Sequence, residues 1–271
     1  MVSFPNAKIN LGLNIIGKRS DGFHNLQTVF YPIGFKDILE IIENKDENNI
    51  SFSQSGLTIN GDASNNLCIK AYHLLKNKYP TLPSIKLHLH KSIPMGAGLG
   101  GGSADAAFTL DLLNHKFNLG ISQEELMDYA LTLGSDCPFF LVNKPCLAFG
   151  RGEKIQEINL TLSQYALVVI NPGIHINTGM AFSKLVLQQE QTDLMKAILN
   201  PISTWKETVT NDFETPVFNA FPEIKKIKEA LYNSGALYAS MSGSGSTIYG
   251  IFKEKVDLEN KFPESYFYKW V

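Results

Sequence analysis

The chain has 271 residues, 24 of them basic and 26 acidic, giving a formal net charge of −2; at ~150 residues per domain that is two domains or one large one. An apolar content of 44% excludes collagenous, low-complexity and disordered chains, and the near-neutral balance argues against a nucleic-acid binder, which shows a net basic domain or stripe. Three scattered cysteines make neither a disulfide framework nor a four-cysteine zinc site, no signal layout opens the sequence, and no run reaches the ~18 apolar residues of a membrane span, so a soluble cytoplasmic protein is expected.

Ala7, Ile9, Leu11, Leu13 and Ile15 alternate with Lys8, Asn10, Gly12 and Asn14, which predicts a strand over 7–16 with the polar set on its non-core face. Ser20-Asp21-Gly22 is a turn signal, leading into a strand near 26–33. Short strands follow at 37–43, 50–53 and 57–60, separated by Asn-, Asp- and Gly-rich turns. From Asn65 the period becomes helical and Pro80 stops it. Residues 85–90 alternate again, with Lys86, His88 and His90 on one face, where surface histidines are a better reading than a metal site. A glycine loop then precedes a helix over about 103–113. Ser122 with Glu125 forms a capping box for a helix through Leu133, with Gly134 as its stop signal. In the second half the patterns predict a strand over 166–171, helices over 179–187, 193–199 and 222–233, and strands over 236–241 and 247–252. The two strands flank a second glycine-serine loop. A division near Gly150 separates residues 1–150 from 151–271.

The first glycine loop is the most informative segment. Five of the seven residues from Gly96 to Gly102 are glycine, placed between a strand and an alanine-rich helix. Glycine there costs backbone entropy, and bare N–H groups at a helix N-terminus are a natural anion cradle. The string satisfies the dinucleotide pattern G-x-G-x-x-G, but the following element is a second helix rather than a parallel strand. A Walker loop needs lysine before the serine, where Gly102 stands, and no H-R-D catalytic loop is present. The loop reads as a phosphate cradle of a third kind.

The segment Pro94 to Ala104 resembles the hallmark loop of the galactokinase, homoserine, mevalonate and phosphomevalonate kinase superfamily, Pro-x-x-x-Gly-Leu-Gly running into a Ser- and Ala-rich helix start. Gly101 and Gly102 stand where much of the superfamily has serines, leaving Ser103 as the first hydroxyl. Further segments match in order: 7–11 (AKINL), 21–24 (DGFH), 133–138 (LGSDCP), 211–214 (NDFE) and 241–246 (MSGSGS). Together they resemble most closely the branch of the superfamily whose substrate carries a cytidine diphosphate. The resemblance implies an α+β fold with an N-terminal domain similar to ribosomal protein S5 domain 2 and a ferredoxin-like C-terminal domain. It also implies phosphoryl transfer from ATP, with magnesium, to an alcohol of a small cytidine diphosphate derivative, by a monomer or weak homodimer with no nucleic-acid or membrane partner.

Residue by residue, the resemblance places Pro94, Met95, Gly96, Ala97, Gly98, Leu99, Gly100, Gly101, Gly102, Ser103 and Ala104 around the ATP phosphates, with Asn66 and Lys91 near the adenine. By residue type alone Lys8 is a solvated surface charge and Asp136 a cap for the turn over 138–142; the resemblance makes them the catalytic pair. A carboxylate is a weak base for an alcohol, so an ammonium that stabilises developing alkoxide charge is useful beside it. Asn10, beside Lys8, is implied to bind the substrate. Phe23, where the family usually has tyrosine, His24 and Phe182 are implied contacts of the cytosine, although either phenylalanine could equally be core. No metal-ligating residue is assigned. Cys137, beside Asp136, reads as a small packed residue rather than a nucleophile. Homoserine or mevalonate kinase activity, and a non-catalytic nucleotide-sensing module, are the competing readings. The first lacks a cytosine to recognise, and the retained Lys8 and Asp136 weigh against the second.

Overall fold

The computed structural model describes residues 1–45, 49–59, 63–185 and 193–271. Strands β1 (Val2–Ser3), β2 (Asn6–Lys18), β3 (His24–Lys36), β4 (Ile38–Glu43) and β5 (Ser51–Gly56) come first, followed by α1 (Leu67–Lys78), β6 (Ile85–Lys91), α2 (Gly101–Phe117), α3 (Gln123–Leu133) and α4 (Cys137–Val142). Then come β7 (Cys146–Gly150), β8 (Lys154–Glu157), β9 (Ala166–Asn171), α5 (Thr178–Ser183), α6 (Leu194–Leu199), α7 (Trp205–Thr208), α8 (Glu214–Ala220), α9 (Pro222–Asn233), β10 (Tyr238–Met241), β11 (Ile248–Phe252) and β12 (Phe267–Trp270). The chain groups into two compact units with interleaved segments, 1–7, 34–95 and 100–143 in the first and 8–33, 96–99 and 144–271 in the second. A cut at residue 150 follows the order of the chain; compactness groups it differently, because β2 and β3 belong largely with the C-terminal half.

The first unit holds one sheet in the order β1-β4-β6-β5, antiparallel except for the parallel β5–β6 pair. Its inner face, with Leu39, Ile41, Leu87 and Leu89, packs against Ala71, Leu75, Ala106, Leu110 and Leu113 from α1 and α2. The alanines of α2 let that helix lie close to its neighbours while its N-terminus stays at the end of the glycine loop. The outer face carries His88 and His90, which meet the hydroxyls of Ser53 and Ser55 at 2.8 to 2.9 Å. The capping box of α3 forms as expected, with both Ser122 and Glu125 bonds present. Its stop is different. Gly134 donates to Ala130 but is extended (φ 172°), so no left-handed cap is made.

The second unit has two sheets, β2-β3-β7-β8 and β10-β11-β9-β12. In the latter, Val168, Ile170, Ala239, Met241 and Ile248 pack with Ile224, Ile227 and Leu231 of α9. The main correction concerns β2. It is buried on both faces from Asn6 to Ile15, so Lys8, Asn10 and Asn14 are not on a solvent face. Residues 57–59 are not strand, since β5 ends at Gly56, and Asn60 lies outside the described residues. The α2 helix begins two residues before Ser103 and runs on to Phe117. The expected turn at 138–142 is the short helix α4. The α5 helix ends at Ser183, and 186–187 of its expected span lie outside the described residues. Strands β1, β7, β8 and β12 and helices α7 and α8 were too short to show a period.

Ser122→Ala removes one half of a reciprocal cap and should lower unfolding free energy by ~1 kcal/mol, read from urea denaturation, with the fold kept.

Candidate active site

In the second unit the first strand, the glycine loop and the glycine-serine loop converge on a buried polar knot. Lys8 is 3% exposed. Its ammonium donates to Asn10 Oδ1 at 2.6 Å and lies 4.9 Å from the centre of the Phe30 ring. Asn10 donates through Nδ2 to Thr28 Oγ1 (2.9 Å), and Thr28 donates to the Gly12 carbonyl. The Asn10 N–H donates to Ser242 Oγ, which itself donates to the Gly98 carbonyl at 2.7 Å. Tyr249 donates to the Asn10 carbonyl and the Lys8 N–H to that of Leu99. One serine hydroxyl thus joins the strand to the loop. At Gly98 (φ +77°) a Cβ would overlap the Ser242 carbonyl, so only glycine fits.

The 211–214 motif holds this knot from behind. Asn211 Nδ2 donates to the carbonyls of Met241 (2.7 Å) and Gly243 (2.8 Å), fixing the loop between β10 and β11. Asp212 accepts the Ile15 N–H of β2, and burial pushes its carboxyl up against that bond's pull. Glu214 accepts the N–H of Met241 and the Ser240 hydroxyl, and pairs with Lys228.

In the first unit, α2 starts from Gly100, which is left-handed (φ +70°) and offers no side-chain cap. The N–H groups of Gly101, Gly102 and Ser103 therefore open the helix without intrahelical partners. At Gly102 a Cβ would make only an ordinary contact, 4.0 Å from Leu67 Cδ1; at Gly101 a Cβ would lie 2.9 Å from both Ile93 Cγ2 and Lys91 Nζ. Gly101 is already helical, so packing over β6 requires glycine there, rather than positive φ. Asn66 caps α1 by accepting the Cys68 N–H at 2.9 Å. Lys91 is turned inward, 1% exposed, and pairs with Asp37 and Asp105, so the structure does not aim its ammonium at an adenine. Asp136 occupies the cap position of α4 but makes no capping bond with its side chain, and it is half-buried. Burial pushes the Cys137 thiol up to about 12, with the Ser103 hydroxyl beside it pulling the other way; the residue is packed and protonated.

The aromatic residues pair otherwise than a simple sandwich would require. His24 stacks on Phe182 at 4.7 Å with 18° between planes, and Phe182 meets Phe213 edge-on. Phe23 is exposed, with the Arg151 guanidinium 4.2 Å from its ring centre. Asp37, Asp105, Arg151 and Thr28 are residues that motif reading passed over, whereas Ser242 lies in the 241–246 motif. A lone acid among alanines at Asp105 was a signal that could have been used.

Residues 66–144 match the family described as GHMP kinases N terminal domain, and residues 194–265 match GHMP kinases C terminal. A 4-diphosphocytidyl-2-C-methyl-D-erythritol kinase of Bacteroides fragilis is 49% identical over 268 residues, 97% of each chain. The chain belongs to the GHMP kinase family. A crystal structure of a 4-(cytidine 5'-diphospho)-2C-methyl-D-erythritol kinase superposes with a TM-score of 0.79 at 31% identity, covering 93% of this chain and 90% of that one. The Methanococcus jannaschii mevalonate kinase superposes at 0.68 with 12% identity, over 93% and 90% of the two chains, a likeness of fold alone. The α+β architecture of this GHMP kinase is therefore as expected. Among the described residues no helix is long and apolar enough to cross a membrane.

Two neighbouring glycines should respond differently. Gly98→Ala should cost roughly 1–3 kcal/mol of stability through overlap with a backbone carbonyl, whereas Gly102→Ala should leave the melting temperature within a few degrees of wild type. Parallel thermal melts check both.

Proposed function

We propose that this GHMP kinase transfers the γ-phosphoryl group of ATP to the 2-hydroxyl of 4-diphosphocytidyl-2-C-methyl-D-erythritol, releasing ADP and the 2-phosphate, a step toward isoprenoid precursors by the non-mevalonate route. The observation that carries the reading is the 49% identity over 97% of the chain with a protein of that name. Residues 94–104 form the phosphate cradle, supported by the left-handed Gly96, Gly98 and Gly100 and by the open N–H groups of the first turn of α2. The helix dipole adds favourable charge for an anion there.

Phosphoryl transfer asks the protein mainly for positioning and charge stabilisation. Asp136 orients the alcohol and accepts its proton, and Lys8 stabilises the negative charge that develops on the oxygen. Burial of Lys8 supports this role, since an ammonium removed from water acts more strongly on a nearby charge. Asn10 fixes the ammonium's direction. Among the described residues no group of three or more His, Cys, Asp or Glu could hold a metal ion. The Ser103 hydroxyl in the first turn of α2 is the protein oxygen that would meet a magnesium carried on the ATP phosphates, where the ion would neutralise charge.

Phe23, His24 and Phe182 receive the cytosine. Arg151 covers one face of Phe23, leaving the other for the base, and entry against Phe182 displaces His24 from its stack. In sequence order, residues 1–150 supply the glycine loop and 151–271 the C-terminal portion of the kinase. The partners are small molecules, the protein works in the cytoplasm, and it acts as a monomer or weak homodimer.

Asp136→Asn should bind ATP as wild type does while kcat falls roughly 10²-fold or more; near-normal turnover would remove Asp136 from the mechanism. Calorimetric titration with cytidine and uridine diphosphates tests the substrate. The wild type should prefer cytidine, and His24→Ala should weaken that preference by ~1–3 kcal/mol, the cost of a base edge left without its partner. Equal affinity in the wild type contradicts the assignment.

A further inference from the structure

The phosphate cradle is bracketed by a buried charge cluster to which the mechanism gives no part. Lys91 ends β6, three residues before Pro94. Its ammonium pairs with Asp37, which precedes β4, and with Asp105 of α2 at 2.7 Å. The second oxygen of Asp37 accepts the N–H groups of Ser92 (2.6 Å) and Ile93 (2.9 Å), the two residues leading into the loop. Asp105 lies just beyond the first turn of the helix by which the loop ends. A single cluster therefore holds both the entry to the loop and the helix at its exit. The side chains of Lys91, Asp37 and Asp105 are 0 to 4% exposed. Contact with the exit turn is close, since Gly101 leaves no space for a Cβ beside Lys91 Nζ.

Stability alone does not account for this arrangement. Desolvating three charged groups offsets most of their attraction, and apolar side chains of similar volume would hold the sheet and helix as well. The cluster is also imperfectly balanced. Asp105 Oδ1 is buried with no hydrogen-bond partner, and burial holds this carboxyl well above the usual range despite Lys91. What the cluster supplies and apolar packing would not is direction, because its bonds fix two backbone N–H groups and one helix relative to a single ammonium.

We propose that Lys91, Asp37 and Asp105 are positioning residues for the nucleotide, setting the loop's entry and the first turn of α2 so that the N–H groups of Gly101, Gly102 and Ser103 converge on the phosphates. The proposal rests on the reading that this loop holds ATP. It concerns ATP affinity and leaves the chemical step to other residues.

The test compares Asp105→Asn, Asp37→Asn and Lys91→Met in the full chain. Asp105→Asn keeps the shape of the site and the Lys91–Asp37 pair, so it remains informative where Lys91→Met does not fold. In each folded variant KM for ATP should rise roughly tenfold or more, while KM for the alcohol and kcat at saturating ATP stay within about threefold, the pattern of a displaced binding group. Hydrogen exchange in the nucleotide-free protein supplies a readout that needs no activity. Amides of 94–103 should exchange faster in the variants, while those of α9 keep the wild-type rate. Unchanged exchange of 94–103 overturns the proposal, even if the melting temperature falls. So does an unchanged KM for ATP in variants of an enzyme that uses ATP. A wild type without ATP turnover would refute the functional reading, while the exchange rates would still decide the positioning role.

Discussion

The close approach of two backbones at Gly98 and Ser242 governs much of what surrounds it. No side chain fits at Gly98, and the Ser242 hydroxyl satisfies the Gly98 carbonyl and the Asn10 N–H together. That contact lets a loop rich in glycine, which alone would be conformationally loose, sit in one place. It also requires the loop between β10 and β11 to be fixed, which explains why Asn211 spends its amide on the carbonyls of Met241 and Gly243. The 211–214 motif is thus tied to the site through structure. It holds β2 by the Leu13 and Ile15 backbone and the glycine-serine loop by its carbonyls.

Burial of Lys8 follows from the same knot. An ammonium taken from water needs partners, and Asn10 Oδ1 and the face of Phe30 are among those of Lys8. Lys91 is buried as well. It sits among two carboxylates, its charge is consumed locally, and its role is geometric.

Most regular elements were legible in the sequence, and the reasons differ between segments. The capping box at Ser122 and Glu125 and the run from Pro222 to Asn233 carry strong local signals, and the structure follows them closely. β2 misled by its alternation. The polar residues Lys8, Asn10 and Asn14 suggest a solvent face, but all three are buried, and the Asn10 backbone is bonded by segments more than 200 residues away. Strands β7 and β8 and helices α7 and α8 owe their form to neighbours rather than to a period of their own. Of the site, the glycine loop was plain from composition, whereas Asp37 and Asp105 were not, because nothing local says that two acids 68 residues apart share one lysine.

The measurement that bears most directly on the central claim is coupled ADP release with three alcohols offered separately: 4-diphosphocytidyl-2-C-methyl-D-erythritol, mevalonate and homoserine. The chain should turn over ATP with the cytidyl substrate, with kcat/KM higher by roughly 10³-fold or more than with either of the others, since neither offers a base to bind. Comparable or greater turnover of mevalonate or homoserine, or no ADP release with the cytidyl substrate, would contradict the account.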